Sequence, residues 1–175
     1  SQQANGKISS DEWYHALMRD AGSLGISFSA WFNSIDSISD HSENQIKLFF
    51  KNNYQIEEEN GNQYARMVLE NNTNQAIEIN RLDATIDNLQ EYFFIGNSWI
   101  EGRKNGKSSC GNSYYTQQLG SFNQLTFDLE NGPLTSGENK IPYKITMEVE
   151  GETIESNVIE VRMYDAQLDR LIQKN

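Results

Sequence analysis

Alternation of apolar and polar residues is clearest near the C-terminal end of the chain, and it constrains the fold more than any other feature. Apolar side chains occupy alternate positions from Ile141 to Val149, and the pair Glu150-Gly151 follows as a turn. The segment 154–163 then returns with further alternating apolar residues. Because successive side chains of a strand point to opposite faces, this pattern predicts a β-hairpin with one face in a core.

Shorter runs with the same period lie upstream. Ala65, Met67 and Leu69 alternate with Tyr64, Arg66 and Val68 before the Asn-rich segment 71–74, which is typical of a turn. Further strands are predicted from the alternating residues Leu125, Phe127 and Leu129, from the segments 92–95 and 99–100 that flank Gly96-Asn97, and from the segment 114–119. Several short strands separated by turns favour an antiparallel β-sandwich.

One change of phase interrupts these runs. Ile77 and Ile79 alternate in one phase, whereas Leu82 and the apolar residues after it alternate in the other. An extra residue in a strand shifts the phase in this way, so we expect a β-bulge near Asn80 and Arg81.

Helical spacing is confined to the two ends of the chain. The segment 11–21 carries an apolar stripe at three- and four-residue spacing, and the segment 26–38 shows a similar spacing through Phe28, Phe32 and Ile35. We therefore predict a helical N-terminal segment over residues 1–44 and a β-sandwich domain over residues 45–175. A short C-terminal helix is predicted over 165–173, where Leu168 and Leu171 share one face.

The final hairpin also carries a family resemblance. The segment from Gly137 to Met163, with Tyr143, the Glu150-Gly151 turn and the run 156–159 (Ser-Asn-Val-Ile), resembles the last two strands of bacterial immunoglobulin-like and fibronectin-like surface modules. The resemblance implies an immunoglobulin-like antiparallel β-sandwich that binds, spaces or presents, and it implies no catalytic chemistry. The cysteine pair and central tryptophan of antibody domains are absent, so that subfamily is not assigned.

The net charge of the chain limits the classes of partner that it is expected to bind. The formal net charge of −11 makes the average surface repel phosphate backbones and anionic lipid headgroups, which disfavours nucleic acid and membrane surfaces. The basic residues Arg103, Lys104 and Lys107 lie in a Gly/Asn/Ser-rich segment that we interpret as a solvated loop. No run of about 20 apolar residues occurs, so membrane insertion is not expected. Abundant Asn, Gln, Ser and Thr favour an extracytoplasmic location, with a cytoplasmic one as the alternative.

Candidate catalytic groups are sparse. The chain has two histidines, His15 and His41, and a single cysteine, Cys110, so neither a zinc site nor a Cys-His nucleophile is expected. The start of the chain is similar to the second half of a calcium-binding helix-loop-helix loop through Gly6 and Glu12. However, the earlier positions that carry Asp or Asn in such loops hold Ser and Gln. We predict no catalytic residue, no metal and no cofactor.

A binding function is therefore expected. The candidate site for a protein or glycan ligand is formed by the loops, especially 96–112, through Trp99, Tyr114 and Tyr115, because aromatic side chains are frequent anchors in interfaces. Two alternatives stay open. One is a structural or assembly subunit of a cell envelope or phage particle that forms a homo-oligomer, and the other is a small hydrolase.

Overall fold

The described part of the chain is mainly β. The computed structural model describes residues 28–51, 56–59, 62–105, 114–130 and 134–174. Its elements are β1 (Ser29–Ser37), β2 (Gln45–Phe50), β3 (Ile56–Glu59), β4 (Asn62–Asn72), β5 (Ile77–Leu82), β6 (Thr85–Ile86), β7 (Leu89–Ile95), β8 (Ser98–Lys104), β9 (Tyr114–Leu119), β10 (Asn123–Glu130), β11 (Asn139–Val149), β12 (Glu152–Glu155), β13 (Ile159–Met163) and the helix α1 (Asp165–Lys174).

These strands form two antiparallel sheets. The larger sheet has the strand order β2-β4-β10-β1-β6-β5-β9. The short strand β3 pairs with the start of β4, on the same edge that β2 occupies farther along β4. The smaller sheet has the order β12-β11-β7-β8, with β13 paired to the first half of β11. Every ladder between these strands is antiparallel. The expectation of a mainly β, antiparallel, two-sheet protein is thus confirmed.

One hydrophobic core joins the two sheets. Leu69 and Phe127 of the larger sheet are fully buried in the same cluster as Phe93, Tyr143 and Met147 of the smaller sheet. These residues belong to the alternating patterns of their strands, so each sheet presents one apolar face to the other. The result is a sandwich-like packing of two layers.

Tight turns fix the two hairpins of the smaller sheet. Gly96 and Asn97 both have positive φ between β7 and β8, and Glu150 and Gly151 both have positive φ between β11 and β12. Two successive residues with positive φ characterise the type I′ turn, whose twist matches that of the strands it connects. The predicted turn at Glu150-Gly151 is confirmed. The return strand is split into β12 and β13, because the chain leaves the ladder at residues 156–158.

Two local predictions are wrong. Residues 29–37 of the segment predicted to be helical form β1, a strand between β10 and β6. The predicted bulge near Asn80 and Arg81 is absent, because β5 pairs with β9 in continuous register from Ile77 to Leu82. The apolar phase changes there because the chain reverses direction immediately after β5, where Asp83 has a φ of 49°.

Of the helices predicted at the two ends of the chain, only the C-terminal one lies within the described residues. The C-terminal helix is confirmed as α1, with Leu171 buried and Leu168 partly buried against the core. The predicted helix over 11–21 lies outside the described residues, as do the candidate calcium-loop residues Gly6 and Glu12. The predicted division of the chain at residue 44 remains a prediction. Within the segment assigned to the N-terminal part, however, β1 belongs to the larger sheet, where it pairs with β10.

Truncation of a core side chain tests the inward face of β11. Met147 is fully buried, and the next residue, Glu148, is exposed on the opposite face of the strand. Met147→Ala is expected to lower the free energy of unfolding by about 2–5 kcal/mol, because it removes contacts and leaves a cavity. Glu148→Ala is the control, with an expected change within about 0.5 kcal/mol. Equal losses for the two variants in urea denaturation would contradict this assignment of faces.

Candidate functional site

Trp99 lies on the solvent side of the smaller sheet. The turn at Gly96-Asn97 places β7 and β8 side by side, so that Trp99 pairs with Phe94. Directly opposed residues share a face, and the two ring centroids are 5.2 Å apart with a tilt of 58°. Phe93 points the other way into the core. Trp99 and Phe94 therefore form an aromatic pair on the outer face of the sheet rather than in a loop.

A lysine from the adjacent strand completes this cluster. Lys144 of β11 is paired with Tyr92 of β7, and its ammonium lies 4.4 Å from the centroid of the Trp99 ring and 5.9 Å from that of Tyr92. The same Nζ donates to Glu155 Oε1 at 3.0 Å. We call Tyr92, Phe94, Trp99 and Lys144 the outer aromatic face. Cation–π contact and the ion pair together hold the ammonium of Lys144 against the aromatic rings.

The outer aromatic face is accessible to solvent. Phe94 is 37% exposed, and Tyr92 and Trp99 are half-buried. Burial raises the pKa of the Tyr92 phenol, and the nearby carboxylates of Glu101 and Glu155 raise this pKa further. Tyr92 consequently stays a neutral hydroxyl, able to donate and accept hydrogen bonds, at pH values where an ordinary tyrosine begins to ionise.

The other two predicted site residues lie elsewhere. Tyr114 and Tyr115 are on β9, at one edge of the larger sheet, and are 48% and 49% exposed. The Tyr115 hydroxyl donates to the Asp83 carbonyl at 3.1 Å. Among the described contacts, none joins either tyrosine to Trp99. The structure thus separates the three aromatic residues onto two sheets, and their role in binding stays a prediction.

Arg81, which the sequence indicated only as part of a bulge, supports the β9 edge. It is buried on β5, with its guanidinium carbon 4.4 Å from the Phe32 ring centroid and 5.4 Å from that of Tyr115. Its Nε and Nη2 donate to the carbonyls of Thr85 and Asp83, and Nη1 donates to Gln117 Oε1. A signal was present in the sequence, since Arg81 continues the phase of Ile77 and Ile79. That phase places its long side chain on the inner face of the sheet.

A second buried polar cluster lies inside the smaller sheet. Glu91 is fully buried and accepts hydrogen bonds from Arg103 Nε at 2.6 Å, from Arg103 Nη2 at 2.7 Å and from the Tyr143 hydroxyl at 2.6 Å. The backbone N–H of Arg103 also donates to Glu91. Arg103 was interpreted as part of a solvated loop, and this is wrong, because it is 5% exposed within β8. With both oxygens occupied by donors and shielded from solvent, this carboxylate is placed for a structural role.

The described residues contain neither a metal-binding cluster nor a membrane-spanning helix. Among residues 28–51, 56–59, 62–105, 114–130 and 134–174, no group of three or more His, Cys, Asp and Glu side chains is placed to hold a metal ion. Within the same ranges, no helix is both long and apolar enough to cross a membrane. His41 stacks on Phe122 with ring centroids 4.0 Å apart, while His15 and Cys110 lie outside the described residues.

Comparison with known proteins identified no relative. No protein-family model, no curated protein and no solved structure matched the chain.

The buried pair gives a testable contrast with the ion pair on the outer face. Glu91→Ala is expected to lower the free energy of unfolding by about 3–5 kcal/mol, because it leaves the Arg103 guanidinium buried without its carboxylate. Glu155→Ala breaks the pair with Lys144, in which the carboxylate partner is exposed, and is expected to cost at most about 1 kcal/mol. The measurement is equilibrium denaturation of both variants. A small loss for Glu91→Ala would show that the buried pair does not stabilise the sheet.

Proposed function

We propose that this protein is a non-catalytic, extracytoplasmic binding module that recognises a neutral glycan through its outer aromatic face. The observation that carries the proposal is the solvent-facing contact of Trp99 with Phe94 and Lys144 on a regular sheet. Rigid strands hold these side chains, so little conformational entropy is lost when a ligand binds.

The chemistry of the face suits a sugar. The faces of aromatic rings are electron-rich, so they attract the polarised C–H groups on one side of a pyranose ring. The hydroxyl of Tyr92 and the carboxylates of Glu101 and Glu155 lie on the same side of the sheet and offer acceptors and a donor to sugar hydroxyls. An apolar platform with a few polar groups around it is the usual composition of a small-ligand site.

The size and charge of the face also favour a neutral glycan over a protein. A stable protein interface typically needs about 800 Å² from each partner around a desolvated core of anchors. Here the exposed aromatic surface comes from Phe94 and the half-buried Trp99 and Tyr92, which together suit one or two sugar rings. The ammonium of Lys144 is already neutralised by Glu155, and the whole chain carries a net charge of −11. An anionic polysaccharide would thus be repelled.

The finer fold class and the location belong to the same proposal. An immunoglobulin-like sandwich is supported by the two antiparallel sheets with a shared core and by the buried Tyr143 in the C-terminal hairpin.

An extracytoplasmic location is supported by the composition, which is rich in Asn, Gln, Ser and Thr. Protease accessibility on intact producing cells tests the location, since a cytoplasmic protein would be cleaved only after lysis.

Trp99→Ala is expected to weaken glycan binding by about 30-fold or more, because loss of a central aromatic anchor costs about 2 kcal/mol. Affinity electrophoresis and titration calorimetry against a panel of neutral oligosaccharides and polysaccharides measure the change. Trp31→Ala is the matched control. Trp31 is 40% exposed on the outer face of the larger sheet, where its Nε1 donates to Glu130, and its removal is expected to leave binding unchanged.

The possible outcomes separate the competing functions. Binding of a neutral glycan that survives Trp99→Ala would place the site elsewhere and overturn the proposal. If no neutral glycan binds, and a purified protein ligand binds with sensitivity to Trp99→Ala, the face serves a protein partner. Turnover of any member of the panel, detected by chromatography of the products, would favour the hydrolase alternative.

A further inference from the structure

The edge strand β9 has an unusual composition for this protein. Its sequence from Tyr114 to Leu119 contains two tyrosines, a threonine and two glutamines before the leucine, and no charged residue. Tyrosine and threonine favour extended structure, and proline is absent. Such a strand is able to pair with a further strand along its free side.

The other edge strands in the described part of the chain are all charged. Among the outermost strands, β2 contains a lysine, β3 three glutamates, β8 a glutamate, an arginine and a lysine, β12 two glutamates, and β13 a glutamate and an arginine. Charged side chains on edge strands oppose pairing between sheets. β9 is therefore the one edge among the described strands that lacks this protection.

Most side chains of β9 are accessible to solvent. Tyr114 and Tyr115 are about half exposed, and Thr116 and Gln118 are exposed as well. In an antiparallel ladder with β5, alternate residues of β9 point their backbone N–H and C=O groups away from the partner. At the end of the strand, Asn71 Nδ2 donates to the carbonyls of Leu119 and Gly120. No such contact joins the outward groups of residues 114–118 to another described residue.

We propose that β9 pairs with β9 of a second copy of this chain, antiparallel and centred on Thr116. The net charge of −11 opposes the approach of two copies across most of their surfaces, so the uncharged edge is the place where they meet with the least repulsion. The two larger sheets then form one continuous sheet about a twofold axis, which is the commonest symmetry of soluble oligomers.

The side chains fit this register. Opposed residues of an antiparallel pair share a face, so Thr116 meets Thr116 of the second copy, Tyr114 meets Gln118 of the second copy, and Tyr115 meets its Gln117. A Thr–Thr pair is among the favourable cross-strand pairs, and no like charges are opposed in this register.

The inner side of the edge is also held in place. Tyr115 is hydrogen bonded to Asp83, and Gln117 accepts from the buried Arg81. The strand is thus organised before association, which lowers its entropic cost. A six-residue strand buries less area than a standard interface, so the dimer is expected to be weak and to depend on concentration.

Charge substitution at the centre of the register tests the proposal. Sedimentation velocity over a concentration series is expected to show the wild-type chain changing from monomer to dimer. Thr116→Lys and Thr116→Glu each oppose like charges, and each is expected to shift the midpoint to a roughly fivefold or higher concentration. An equimolar mixture of the two variants is expected to restore the dimer, because lysine then faces glutamate.

Thr153→Lys is the matched control. Thr153 is an exposed threonine on the edge strand β12 of the smaller sheet, so it receives the same charge without disturbing β9, and wild-type dimerisation is expected. A wild-type chain that stays monomeric up to its solubility limit overturns the proposal. So does a dimer that is insensitive to Thr116→Lys, or a mixture of the two charged variants that stays monomeric.

A second variant covers the case in which the charged chains fail to fold. In a Cys110→Ser background, Thr116→Cys is expected to form a disulfide-linked dimer under mild oxidation, because centrally opposed residues lie within disulfide distance. Thr153→Cys in the same background is expected to stay monomeric. Failure of Thr116→Cys to cross-link in a folded, dimeric protein would exclude this register.

Discussion

The buried Glu91 carboxylate is the interaction on which the smaller sheet depends. It accepts hydrogen bonds from Arg103 of β8 and from Tyr143 of β11, so one side chain of β7 is bonded to both neighbouring strands. Removing these charges from water is costly, and the cost is offset only because both carboxylate oxygens receive donors in good geometry. The next residue, Tyr92, faces the opposite side of the sheet. The inner ion pair therefore fixes the strands that carry the outer aromatic face.

Period-two patterns were sufficient to predict the strands that cover the core. Leu125, Phe127 and Leu129 are buried as predicted, and so is the alternating face of β11 that includes Tyr143. These strands have one face in the core and one in solvent, so burial and alternation agree. Helix α1 was predicted equally well, because its apolar residues follow the period of a helix on a sheet surface.

The two failures have different physical causes. A register shift in β1 between Phe32 and Ser34 inserts an extra residue. Ile35 consequently follows Phe32 after three residues. Phe28 precedes Phe32 by two ordinary alternations, so the three residues together show the spacing of a helix. In β5 the buried position after Ile79 is taken by Arg81, whose charge hid the continuing alternation. The outer aromatic face could not be predicted from the sequence for another reason. Trp99 and Lys144 are far apart in the chain, and they meet only because of the register of the strands that carry them.

The two proposed surfaces are compatible because they belong to different sheets. Antiparallel pairing through β9 places the twofold axis perpendicular to the larger sheet, so both copies keep the same side of that sheet turned toward their smaller sheets. The smaller sheets then lie on one side of the dimer, and both outer aromatic faces point in the same general direction. A polymeric glycan repeats its binding unit, so one chain or one surface could engage both faces, and the second contact would form at a high effective concentration. Weak binding by each small face, combined with weak self-association, would then give firm attachment only where the ligand is dense.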